Sequence, residues 1–261
     1  MFRLALKDVC ESFVRWRLWI FLAWAEIRMR YRRSTLGPWW ITISMAIFTA
    51  AISVVYSRLF HQDPLNYLPF LVSGMVLWTF ISTCVIESTV LFKTYQGYIK
   101  QIKLPYLIYP LRHLSANVII FGHNFFVYVI LLFFCHIPIS SVTLLVIPGF
   151  LLILINMLWI NLLVGLIGTR FRDFAPIIIS MVQVAFFVTP ITWMPKLVGE
   201  NSLVVKLNPV VYLLDIFRSP LMGEAPQGES WLVSIALAIV GCSLCFYIFA
   251  KYRQRIPFWV E

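Results

Sequence analysis

Four arginines crowd into the six residues Arg28-Met-Arg-Tyr-Arg-Arg33. A guanidinium is a planar fork of donors that meets two phosphate oxygens at once, so Arg28, Arg30, Arg32 and Arg33 have the chemistry to receive an anionic lipid phosphate. The same charges also suit a plain electrostatic anchor on an anionic leaflet, and their spacing leaves both readings open. A second chemistry is stacking. Trp39, Trp40, Phe186, Phe187 and Trp193 carry flat apolar faces of the kind that pack on sugar rings, although aromatic belts at the two membrane interfaces use the same residues. Glu87 is the one acidic residue well inside an expected membrane span, where an ionisable group is costly and either pairs with a cation or serves transport.

Other chemistries find no support. None of the eleven glycines is followed by lysine, so there is no phosphate-binding loop and any ATP hydrolysis belongs to another polypeptide. Glu200, Asp215, Glu224 and Glu229 show no spacing of paired carboxylates or metal ligands, so no catalytic residue, metal or cofactor is expected. Cys242 and Cys245 form a C-x-x-C inside an apolar helix with no second pair and read as packing, and no disulfide framework is expected. His123, Asn124, Asn156, Asn161 and Gln183 suit hydrogen bonds between helices rather than a proton relay.

The elements that carry these groups are membrane helices. The 261 residues are 61% hydrophobic and 12% charged, with mean hydropathy +0.87, far from a soluble domain. Six runs are long enough to cross the bilayer, near Trp39–Ser57, Tyr67–Phe92, Leu114–Phe134, Val142–Gly168, Phe174–Met194 and Trp231–Ala250. They are continuous rather than alternating, which excludes a β-barrel. With both termini on the cytoplasmic side, seventeen Lys and Arg fall inside and four outside, namely Arg58, Lys196, Lys206 and Arg218. The net charge of +10 is therefore topology rather than a nucleic-acid surface. Charge continuing through Arg33, with no small-residue cleavage site, argues against a cleaved signal peptide.

Ahead of the first span, Phe13, Trp16, Ile20, Trp24, Ile27 and Tyr31 recur every three or four residues and predict an amphipathic helix in the membrane interface. Gly37 and Pro38 then break it. After the fifth span, Leu203–Leu207 and Val210–Phe217 are apolar but too short to cross, and suit short re-entrant helices. The expected fold is an all-α membrane protein with six transmembrane helices, one N-terminal interface helix and short re-entrant external helices before the last span. As a single domain it divides into an interface helix and turn (1–38), spans 1–5 (39–194), an external gate segment (195–230), span 6 (231–250) and a cytoplasmic tail (251–261).

Several spellings, taken in order along nearly the whole chain, resemble the ABC-2 type polysaccharide exporter permeases, and among them the O-antigen export permeases. They are Arg30-Tyr-Arg-Arg-Ser-Thr-Leu-Gly-Pro-Trp-Trp40, Tyr98-Ile-Lys-Gln-Ile-Lys-Leu-Pro105, Phe171-Arg-Asp-Phe174 with Gln183 and Phe186-Phe-Val-Thr-Pro-Ile-Thr-Trp193, and Asn208-Pro-Val-Val211. The resemblance implies a homodimer in the bacterial inner membrane, engaged by two copies of a cytoplasmic ABC ATPase and moving an undecaprenyl-diphosphate-type lipid-linked polysaccharide. It also implies that Tyr98, Lys100 and Lys103 form the segment docking in the ATPase, with Arg170 and Arg172 in a second contact, and that a seam opens between the first and fifth spans. The alternatives are a related permease for capsule, teichoic acid or a small hydrophobic drug, and, from another class, a membrane-embedded glycan- or lipid-modifying enzyme.

Overall fold

Hydrocarbon offers no water to a bare peptide group, so apolar runs must close their own hydrogen bonds as helices. The computed structural model describes residues 1–32, 34, 36–37, 39–61, 63–135, 137, 139–195 and 202–260, and within them it holds helices and no strand. In chain order these are α1 (Phe2–Val14), α2 (Trp16–Arg30), α3 (Trp39–Leu59), α4 (Pro64–Ser88), α5 (Leu91–Thr94), α6 (Gln96–Gln101), α7 (Ile108–Phe134), α8 (Val146–Arg170), α9 (Phe174–Val188), α10 (Leu203–Lys206), α11 (Pro209–Leu221), α12 (Gly228–Tyr252) and α13 (Ile256–Trp259).

Five helices, α3, α4, α7, α8 and α12, are long and apolar enough to cross a membrane. The expected fifth span differs. Its helix α9 has 15 residues and rises about 22 Å, short of about 30 Å of hydrocarbon. It stops at Val188 because Thr189 precedes Pro190, whose ring pushes the residue before it out of the helical region. Thr189 accordingly sits at φ −88°, ψ 136°. The third span begins at Ile108, earlier than the expected Leu114, because the Asp8 carboxylate accepts the backbone N–H groups of Tyr106 and Leu107 and so satisfies donors at the start of α7.

α4 is the core element. Leu71, Val72, Val76, Leu77, Phe80 and Cys84 are buried on it, and α3, α7, α8, α9 and α11 surround it. Close crossings fall on glycines. A Cβ at Gly149 would lie 2.5 Å from the Ile216 carbonyl oxygen, and one at Gly168 would lie 2.8 Å from the Thr89 carbonyl carbon.

The N-terminal segment keeps most of the expected stripe on its outer face, but not as one helix. It is two helices broken at Arg15, and Phe13, Trp16, Ile20 and Trp24 point outward. The face turned to protein is Ala5, Asp8, Ser12, Ala23 and Ile27. Small and polar side chains allow α1 and α2 to lie close against α12 and α7, and the bulky apolar residues are left for lipid.

The segment after α9 folds inward. Asn208 caps α11 by accepting from the Val210 N–H, with Pro209 in the first turn. Leu213, Leu214, Ile216, Phe217, Arg218 and Leu221 are buried against α4, α8 and α12, so this helix is a wedge in the bundle.

Candidate functional site

Both chain ends meet at one end of the bundle, called the basal end below. Asp8, fully buried, accepts from Arg253 Nε at 2.9 Å and from the Tyr106 and Leu107 N–H groups at 3.1 and 3.2 Å. One carboxylate thus ties α1, the start of α7 and the segment after α12 together.

A second set of charges runs from α2 into α4 and α7. Glu26 accepts from Arg112 Nε at 3.2 Å and from the Tyr95 hydroxyl at 3.1 Å, while the Arg112 guanidinium lies 4.3 Å from the centre of the Tyr95 ring. Burial, and after it the Glu26 carboxylate, push the Tyr95 hydroxyl well above the usual phenol range, so it stays a donor. Arg30 reaches both Glu26 and Glu87, and Glu87 also faces the His113 ring. The partner expected for Glu87 is therefore present.

The four candidate arginines do not act as one group. Arg28 and Arg32 are exposed and pair with no carboxylate among the described residues, Arg30 is engaged, and Arg33 lies outside the described residues. The aromatic set divides as well. Trp39 and Trp40 are exposed at the start of α3, with Trp39 edge-on to His123 and Phe126 of α7 at 5.8 and 5.4 Å. Phe186, Phe187 and Trp193 gather at the far end of α9. There the two phenyl rings stand 5.3 Å apart, and the Trp193 indole donates to the Phe187 carbonyl at 3.0 Å. Tyr98, Lys100 and Lys103 are exposed on or just beyond the short helix α6, none of whose residues is buried. Arg170 and Arg172 line a basal cleft of about 360 Å³ with Lys93, Gln96, Phe258 and Trp259, which brings the two basic connections and the C-terminal helix together.

Two residues escaped sequence reasoning. Asp8 looks like an ordinary surface acid on an amphipathic segment. Arg218, counted as an external charge, is instead 7% exposed. It stacks on Phe70 at 4.0 Å and donates to the Pro190 carbonyl at 2.7 Å. Its place directly after the apolar run Val210–Phe217 was the available signal. Of the five polar residues expected to bond between helices, Asn156 donates to the Ser234 carbonyl on α12, whereas His123 bonds within α7 to Ile119.

A polytopic helical membrane protein with exposed basic connections at the end where its termini meet has the design of a permease. The ABC-2 type transporter family matches residues 17–222, well over half of the chain, and the chain belongs to that family. It is similar to an O-antigen export system permease protein RfbA of Klebsiella pneumoniae, with 23% identity over 88% of this chain and 90% of that protein. A protein of the same name from Myxococcus xanthus is 22% identical over 91% of this chain and 93% of its own length.

Proposed function

We propose that this chain is the membrane-conducting subunit of an ATP-driven exporter that carries lipid-linked polysaccharide of the O-antigen type outward across the bacterial inner membrane. It works as a homodimer with two copies of a separate cytoplasmic ABC ATPase. The observation that carries this reading is the basal face: Tyr98, Lys100 and Lys103 stand exposed beside the cleft holding Lys93, Arg170 and Arg172. The names of the chain's relatives, O-antigen export permeases, supply the substrate class.

The basal end faces the cytoplasm, because seventeen of the twenty-one Lys and Arg lie in the segments assigned to it. Chain ends joined through Asp8 and Arg253 suit an even number of crossings, with α9 and the bent Thr189–Trp193 segment taken together as the sixth. The dimer forms along α3 and α9. Ile47, Phe48, Val54 and Val55 on α3 and Ile177, Met181, Val184 and Phe187 on α9 are all exposed apolar residues. An apolar hollow of about 660 Å³ between α9 and Leu203, Leu207 and Asn208 continues that surface.

The lipid diphosphate approaches from the inner leaflet and meets Arg28, Arg30 and Arg32, with Arg33 beside them in sequence. ATP binding on the partner rocks the two permease halves and opens the α3/α9 seam. The glycan passes Trp39 and Trp40, then Phe186, Phe187 and Trp193. Stacking suits a moving polymer because it is weak, repeated and tolerant of register, whereas a fixed array of hydrogen bonds would hold the chain in place. Reversing Lys100→Glu and Lys103→Glu together is expected to abolish co-purification of the ATPase while the permease level stays normal. Unchanged association would count against docking at α6.

A further inference from the structure

Arg30 differs from the neighbouring arginines in that carboxylates already hold it, and hold it loosely. Its guanidinium is 3.5 Å from Glu26 and 3.6 Å from Glu87, with the Arg30 and Glu87 side chains 38% and 37% exposed. Glu26 has a closer and more buried cation in Arg112, at 3.2 Å and 10% exposed, and the Tyr95 hydroxyl besides. Losing Arg30 therefore leaves Glu26 satisfied. Glu87 keeps the His113 ring at 3.7 Å. Ion pairs this open to solvent change an equilibrium by a factor of about five at most, so a doubly charged phosphate displaces Glu87 at small loss and gains a charge-assisted fork in return.

A second observation points to an anionic visitor. The Tyr31 hydroxyl, on the next residue, is buried and has no hydrogen-bond partner among the described residues. Burial raises its pKa, with smaller electrostatic effects from Arg30 and Glu87, so it remains a protonated donor within electrostatic range of this charge cluster and without an acceptor. A buried donor left unpaired is costly, and a phosphate oxygen satisfies it.

We propose that Glu87 is the resident counter-ion of a lipid-phosphate site built from Arg30 and the Tyr31 hydroxyl, and that a lipid diphosphate binds by taking Arg30 away from Glu87. This inference rests on the export reading above and adds how an empty site differs from a loaded one. Glu87 lies in the last turn of α4, and residues 88–90 lead directly into α5 and α6. The Thr89 carbonyl packs against Gly168, two residues before Arg170. Exchange at Arg30 is thus felt at the root of both basic connections, and loading reaches the ATPase-docking face through a short length of covalent chain.

The test uses the full chain in phosphatidylethanolamine nanodiscs, with equilibrium binding of three probes: undecaprenyl diphosphate, inorganic diphosphate and phosphatidylglycerol. Glu87→Gln is expected to tighten undecaprenyl diphosphate about two- to fivefold. Arg30→Gln is expected to weaken it about tenfold, and Tyr31→Phe to weaken it severalfold. Because Glu87 acts through Arg30, the double variant Glu87→Gln/Arg30→Gln should bind like Arg30→Gln alone. Glu87→Asp keeps the charge but withdraws it, shifts affinity in the same direction, and stands in if the glutamine variant does not fold. Unchanged or weaker binding by Glu87→Gln, or simple additivity in the double variant, overturns the counter-ion role while leaving the export reading intact. An equal gain for phosphatidylglycerol or for inorganic diphosphate overturns it too, by identifying an ordinary anionic lipid or a free phosphate as the occupant. Undiminished binding in the Arg30 variant and in an Arg28→Gln/Arg32→Gln variant would instead remove the phosphate step of the export reading itself.

Discussion

Replacing Asp8 by alanine is expected to cost about 3 kcal/mol of stability, one of the two largest effects of any single substitution considered. The carboxylate is fully buried and serves three segments at once: Arg253 at 2.9 Å, and the backbone N–H groups of Tyr106 and Leu107. Alanine leaves a cation and two backbone donors without an acceptor, and orphaned buried groups cost more than the bonds themselves contribute. The Arg253 side chain is 23% exposed, so water recovers part of the loss and the lower end of the range for a broken buried pair applies. In detergent the unfolding midpoint should fall by about 6–12 °C. Arg253→Gln, which leaves Asp8 its two backbone donors, should cost only about 1 kcal/mol. A shift for Asp8→Ala no larger than for Arg253→Gln would show that the carboxylate is not the hub.

Substituting Gly168 by leucine is expected to damage the basal face directly. Its missing side chain lets α8 touch the backbone after α4, since even a Cβ there would lie 2.8 Å from the Thr89 carbonyl carbon, 3.0 Å from its Cα and nearer still to its oxygen. Backbone cannot rotate aside as a flexible side chain does, so the two segments must separate. Overpacking of this kind costs about 3 kcal/mol, and here it pushes apart the roots of the Lys100 and Arg170 connections. Gly122→Ala is the matched control. Nothing lies within 4 Å of its added Cβ, and alanine in a helix gains about 0.5–1 kcal/mol over glycine. Thermal unfolding and export measured on both variants check this. Equal behaviour at the two positions would mean that the α8 contact with Thr89 does not matter.

Much of this architecture was legible in the sequence because hydrophobic runs report directly on solvent. The apolar stretches that became α3, α4, α7, α8 and α12 were read within a few residues. Boundaries failed where tertiary contacts decide them: α7 starts early because a carboxylate about a hundred residues away satisfies its first donors. The interface segment was read as a helix with its large apolar residues turned to the membrane, and Phe13, Trp16, Ile20 and Trp24 do point outward, whereas the break at Arg15 and the protein-facing set of Ala5, Asp8, Ser12 and Ala23 were not legible. Bulky apolar side chains are content in lipid, and small or polar ones pack inward.

The site was legible in part. Charge count placed Lys100, Lys103, Arg170 and Arg172 on one side of the membrane, the family resemblance singled them out as candidate contacts, and the structure leaves them exposed. The partnership of Arg30 with Glu87 could not be named, because it joins residues 57 positions apart through a helix packing that no local pattern encodes. Arg218 was misplaced for the related reason that a charge count assigns sides and not depths.

ATP-dependent movement of lipid-linked glycan in proteoliposomes decides most directly whether this chain conducts while another hydrolyses. With this chain and its ATPase both present, glycan should reach the lumen only when ATP is supplied, and the chain alone should neither hydrolyse ATP nor move glycan. Hydrolysis by the purified chain alone, or equal transport without the ATPase, would contradict it.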